Sequence, residues 1–213
     1  MISIDADHLD HKALNDRLRG IKAPVQLTNC CGQRFIAAGM APVSLSITGV
    51  PGNALGAYLN GGKIVVHGNA QDAVGDTMND GTIIVHGSIG DAAGYAMRGG
   101  KIYVKGNAGY RAGIHIKAYE DKSPTMIIGG TCGSFLGEYQ AGGTIIVPTY
   151  VSLTDGANSP IPRLLSRLGV RFQEHFTPAS YRAFFERMGC MDVTYRVVRG
   201  RIPCVIASFT NDQ

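Results

Sequence analysis

The densest run of chemically capable side chains is Gly109-Tyr110-Arg111-Ala112-Gly113-Ile114-His115-Ile116-Lys117. Arg111 offers a guanidinium, Lys117 an ammonium and His115 an imidazole, all hydrogen-bonding groups suited to an anion. Two readings stand side by side. In one, Arg111, His115 and Lys117, with Arg98 and Tyr110 nearby, contact an anion or a partner. In the other they are ordinary solvated loop charges. A small autonomous enzyme working at this face is a separate alternative. Asp72 and Asp91 are another pair, 19 residues apart. Paired carboxylates can cleave glycosides, but the same position continues as Asn53 and Tyr110, which favours side chains that satisfy turn amides. His67 and His86 share that spacing, with Lys105 next in line. Two imidazoles followed by a cation make a poor metal site and read as a polar ladder. The adjacent Cys30 and Cys31 read as a redox pair or, preferably, as two small buried thiols. No GxSxG, no P-loop and no isolated strand–glycine–helix fingerprint occurs. No catalytic residue, metal ligand or bound cofactor is therefore assigned to the chain.

The recurring interval of 19 residues locates the elements that position these groups. Of 29 glycines in 213 residues, 22 lie between Gly49 and Gly143, so the glycine is architectural rather than general. Gly49, Gly68, Gly87 and Gly106 are 19 apart, as are Gly56, Gly75, Gly94 and Gly113. Each unit opens on a short strand rich in Ile and Val and ends on a glycine turn. One unit is five residues longer, around Ala118–Lys122. Such a unit is one turn of a parallel β-solenoid, of either hand, with like positions stacked about 4.8 Å apart. Alternation then predicts four inward columns: Leu45/Ile64/Ile83/Ile102/Met126, Ile47/Val66/Val85/Val104/Ile128, Leu55/Val74/Ala93/Ala112/Leu136 and Leu59/Met78/Met97/Ile116. The outward column Ser46/Val65/Ile84/Tyr103/Ile127 is largely apolar. Val65, Ile84, Tyr103 and Ile127 are thus an interface candidate, covered by the chain's own terminal segments or by a partner protein.

The expected organisation is an N-terminal helix and strand cap over 1–43, a β-helix of five to six coils over 44–150, and a C-terminal cap over 151–213. Leu9, Ala13, Leu14 and Leu18 predict a helix within 5–19, and Pro24–Asn29 a strand. In the tail, Thr177-Pro178 opens a helix bearing Tyr181, Phe184, Phe185 and Met188, and Val193–Val198 with Ile202–Ile206 form a hairpin. Net charge is +4, of which +3 falls in the last 63 residues, where eight arginines are scattered among five acids rather than gathered in a basic stripe, so nucleic acid is not expected. Apolar runs are too short for membrane helices. The absence of a signal-peptide pattern and the odd cysteine count suggest a cytoplasmic protein.

Asn69-Ala70-Gln71-Asp72, Thr77-Met78-Asn79-Asp80-Gly81, Gly94-Tyr95-Ala96-Met97-Arg98-Gly99-Gly100, Gly109-Tyr110-Arg111, Gly113-Ile114-His115 and Phe135-Leu136-Gly137-Glu138-Tyr139 together resemble the GXGXG domain of glutamate synthases. The resemblance is greatest to the stand-alone third-domain subunit of the archaeal type. It implies a right-handed parallel β-helix that acts as a non-catalytic scaffold. It also implies glutaminase-like and FMN/iron–sulfur synthase-like partner subunits, with FMN and the iron–sulfur cluster on the partner, and leaves room for a homo-oligomer. Glutamate would form from glutamine and 2-oxoglutarate on those partners. The same domain is similar to a component of formylmethanofuran dehydrogenase and to one of N-methylglutamate synthase, and both remain alternatives.

Overall fold

The computed structural model describes residues 1–147 and the backbone of two later strands. The strands are β1 (Ile2–Asp5), β2 (Val25–Cys31), β3 (Val43–Val50), β4 (Asn60–Val66), β5 (Asp80–Val85), β6 (Lys101–Val104), β7 (Thr125–Ile128), β8 (Thr144–Ile146), β9 (Asp192–Val198) and β10 (Ile202–Ser208), with one helix, α1 (His11–Leu18). Strands β1 to β8 pair in parallel in sequence order, and β10 then β9 extend the sheet. Parallel pairing of consecutive strands, from β2 onward with no helix between them, makes each strand one face of a coil, so the chain winds a β-solenoid. Register follows the 19-residue period: Leu45 faces Ile64, Ile64 faces Ile83, and Ile83 faces Ile102. The long unit advances the register by its five extra residues, so that Ile102 faces Met126.

The solenoid has about eight coils, not five to six. The first two lack the glycine rhythm that reveals the others. Ile2 pairs with Val25 and Val25 with Leu45, intervals that do not match 19. Ile2 and Ile4 alternate with polar residues, Ile4 is buried, and the segment is a strand that ends where the helical stretch 5–19 was expected to begin. The helix starts only at Asp10, whose carboxylate accepts a hydrogen bond from Ala13 N–H at 2.7 Å.

The inward columns hold as expected. Ile64, Ile83, Ile102, Val66, Val85, Met78, Met97 and Ile116 are fully enclosed in one continuous core, with only Leu136 partly exposed at the C-terminal end. The second to seventh coils return through a five-residue arc whose first, third and fifth residues have positive φ: in Ala73-Val74-Gly75-Asp76-Thr77 the values are 55°, 69° and 49°. In the regular coils the third position needs glycine for space. A Cβ on Gly75 would sit 2.5 Å from Ile102 Cδ1, so the missing side chain is what lets a core isoleucine reach across the arc.

Both ends of the stack are closed by chain segments. In each regular coil the third arc N–H donates to the preceding coil, as Gly56 does to Ile36 and Gly75 to Leu55. Ala37, at φ 60°, holds this place in the second coil, and no earlier arc exists to receive its N–H. The buried Asn15 of α1 supplies the acceptor: its Oδ1 takes Ala37 N–H at 2.9 Å, while its Nδ2 donates to His11 C=O. Leu14 and Leu18 join the core beside it. At the other end the expected hairpin is present, and β10 pairs antiparallel with β8, covering its hydrogen-bonding edge. The helix expected after Thr177 lies outside the described residues. Among the described residues no helix is long and apolar enough to cross a membrane.

Candidate functional site

The arc geometry decides where the candidate cations go. Arg111 and His115 are the first and fifth residues of the sixth coil's arc, both left-handed at φ 56°. This conformation costs about 1–2 kcal/mol at a non-glycine residue. It recurs in every arc, so at Arg111 and His115 it reflects architecture and not strain reserved for function. One coil later the same columns hold Phe135 and Tyr139. The Arg111 guanidinium therefore sits over the Phe135 ring, 5.3 Å from its centroid, and His115 stacks on Tyr139 at 4.8 Å and 15°. Tyr95 meets the His115 ring edge-on at 5.7 Å, and Arg111 Nε lies 3.6 Å from Glu138 Oε2. That ion pair is solvent-exposed and worth at most about 1 kcal/mol. The result is an exposed aromatic patch that holds one guanidinium and one imidazole, the composition that concentrates binding energy at protein interfaces.

Arg98 and Lys117 occupy a different column, at the corner after the arc. Their N–H groups donate to Met78 and Met97 respectively, equivalent bonds one coil apart. Among the described residues no hydrogen bond, ion pair or ring contact joins them to Arg111 or His115. The structure thus brings Arg111 and His115 onto one arc, with Tyr110 immediately before it, and leaves Arg98 and Lys117 as a second, exposed pair. Sequence reasoning missed Tyr95, Phe135, Glu138 and Tyr139 as neighbours. Carrying the columns across the five-residue insertion finds Phe135 and Tyr139.

The remaining candidates resolve as ladders. Asp72 Oδ1 accepts Asp91 N–H at 2.9 Å, and Asp91 Oδ1 accepts Tyr110 N–H at 2.8 Å. Asn69, Ser88, Asn107 and Thr131 repeat the device in a second column. The carboxylates are therefore committed to backbone amides of the next coil. His67 and His86 stack at 5.5 Å and 5°, and His67 Nε2 is 2.8 Å from Ser46 Oγ. No group of three metal-ligating side chains occurs among the described residues. Cys30 is buried, and desolvation, aided by neighbouring Cys31, pushes its thiol up to about 12. Cys31 is exposed on the opposite face of β2, so the expectation of two buried thiols is corrected to one. Strand alternation separates adjacent residues. Burial also raises the Cys132 thiol to about 12.

The outward column is placed as read: Val65, Ile84, Tyr103 and Ile127 pair in register and are half-buried, and Ile146 extends them. Among the described elements no backbone approach within 8 Å joins α1 to any strand, so α1 does not lie along this face.

The model for the GXGXG motif matches residues 12–158. The chain belongs to the GXGXG motif family. This GXGXG chain is also 51% identical over 154 residues to an uncharacterized protein of Methanocaldococcus jannaschii, covering 68% of the chain and 59% of that relative. The chain thus spans less than two thirds of the relative's length.

Proposed function

We propose that the chain is a non-catalytic scaffold subunit of a glutamate-synthase-like oxidoreductase. In this reading the chemistry of glutamine and 2-oxoglutarate is carried out on glutaminase-like and FMN/iron–sulfur partner subunits. The observation that carries the reading is the apolar outward column Val65, Ile84, Tyr103, Ile127 and Ile146, which no described element overlies. A contiguous apolar strip along a sheet is the surface a permanent partner would cover. Two further features fit. The acidic pair and the histidine pair are occupied by ladder contacts, and membership of the GXGXG family is compatible with a domain that holds others.

The test is purification of the chain under native conditions from its own source. The expected result is a larger assembly with flavin and iron–sulfur absorbance and a glutaminase component. Ile84→Glu, on the outward face, should release the chain while its circular dichroism is retained. A monomeric native chain, or an assembly unaffected by Ile84→Glu, counts against the proposal. An assembly with a pterin protein instead would favour the formylmethanofuran-dehydrogenase alternative.

A further inference from the structure

The five-residue insertion builds a second site, independent of the scaffold reading. Tyr119 N–H donates to Lys122 C=O and Lys122 N–H to Tyr119 C=O, each at 3.0 Å, closing a tight turn with Glu120 at φ 54°. Thr125 N–H then donates to Gly100 C=O at 3.0 Å and returns the chain to the sheet. The turn is thus fixed at both its neck and its exit. Lys122 is half-buried. Its aliphatic stem lies across the previous coil, with Cδ 3.2 Å from where a Cβ on Gly99 would stand.

Beside this stem is a solvent-open depression of about 330 Å³. Lys122 comes from the insertion, Ser123 follows it directly, and Thr82 and Lys101 come from register-paired positions of β5 and β6. Gly81 and Gly100 complete the wall. A Cβ on Gly100 would sit 2.9 Å from Gly81 C=O, so close coil stacking keeps that wall free of side chains. Among the described residues neither Lys101 nor Lys122 has an ion pair. The one acidic group in the lining, Asp80, has its Oδ1 accepting Gly81 N–H at 2.7 Å.

We infer that this pocket binds the phosphate group of a small phosphomonoester. Two separate ammonium groups and two hydroxyls can approach a tetrahedral oxyanion from several directions, whereas planar carboxylates are better matched by the arginine fork. The volume leaves room for an organic body, and the second oxygen of Asp80 can accept a hydrogen bond from a hydroxyl on it. Insertions in repeat proteins commonly build such sites on one face.

Calorimetric titration of the full chain at constant ionic strength tests this, with inorganic phosphate, glycerol phosphate and malonate as probes. Saturable binding of both phosphates is expected, with glycerol phosphate several-fold tighter and malonate weaker than either. Lys122→Met and Lys101→Met, each keeping an apolar stem, should each weaken binding at least five-fold. Lys22→Met, exposed and outside the pocket, should leave it unchanged. Asp80→Asn, which removes the opposing charge, should tighten inorganic phosphate. Absence of saturable binding, indifference to both pocket lysines, or malonate binding as tightly as phosphate overturns the inference.

Discussion

Replacing Gly75 by alanine separates two roles that glycine plays in the arcs. Gly75 has φ 69° and Gly39 has φ 66°, so both substitutions carry the same left-handed penalty of about 1–2 kcal/mol, partly offset by a stiffer unfolded chain worth about 0.4–1 kcal/mol. They differ in space. Nothing lies within 4 Å of a Cβ on Gly39, while one on Gly75 meets Ile102 Cδ1 at 2.5 Å and Ile83 Cδ1 at 3.5 Å. Ile102 is fully enclosed, so it has little freedom to yield, and overpacking of this kind costs about 1–3 kcal/mol. Gly39→Ala should therefore destabilise by about 1 kcal/mol or less and Gly75→Ala by about 2–4 kcal/mol. Ala37 already occupies the Gly75 column at φ 60°, so the conformation itself is open to alanine and the steric term should dominate the difference. Denaturant unfolding followed by circular dichroism measures both. Adding Ile102→Val removes the colliding methyl and should make the double variant less destabilised than the sum of the singles. Equal stability losses within about 0.5 kcal/mol for Gly39→Ala and Gly75→Ala, or strict additivity with Ile102→Val, would refute the packing account.

Three further outcomes are expected. Asn15→Ala orphans the buried Ala37 N–H and should cost about 1–3 kcal/mol in a denaturant melt, whereas exposed Asp16→Ala on the same helix should cost far less. Asp91→Ala removes the acceptor for Tyr110 N–H and should lose about 0.5–1.5 kcal/mol, with Asp91→Asn close to wild type because the amide oxygen also accepts. In the folded protein at pH 8, iodoacetamide should label exposed Cys31 before Cys30 and Cys132, whose raised values leave almost no thiolate. The same two thiols hold their protons longer when folded, so they withdraw stability as pH rises above the unfolded-thiol value of about 8.5 and towards 12. A melting temperature whose alkaline fall is unchanged in the Cys30→Ala/Cys132→Ala variant would contradict that linkage.

The regular coils were legible because a fixed period turns long-range contact into arithmetic. Once Gly56 and Gly75 define 19 residues, Ile64 must lie beside Ile83, and alternation puts both inside. The apolar outward column followed from the same rule, as did the ladder role of Asp72 and Asp91. Legibility failed where the period changed. The first two coils run through β1, α1 and β2 with irregular intervals, and the turn they share with α1 is completed by a side chain, Asn15, rather than by a repeated backbone bond. The candidate site was read in part. Arg111 and His115 were picked out by type, but their aromatic neighbours stand one coil away across the insertion.

By itself the amino-acid pattern determined the repeat, the inward and outward faces and the places where only glycine fits, because each is a local property copied from coil to coil. Tertiary structure alone decided which coil neighbours the insertion brings together. That is why His115 stacks on Tyr139, and why Lys122 crosses Gly99 to stand near Lys101. A contact between non-equivalent positions depends on where a turn folds back, and that is set by backbone hydrogen bonds and by the open surface over a glycine rather than by any period.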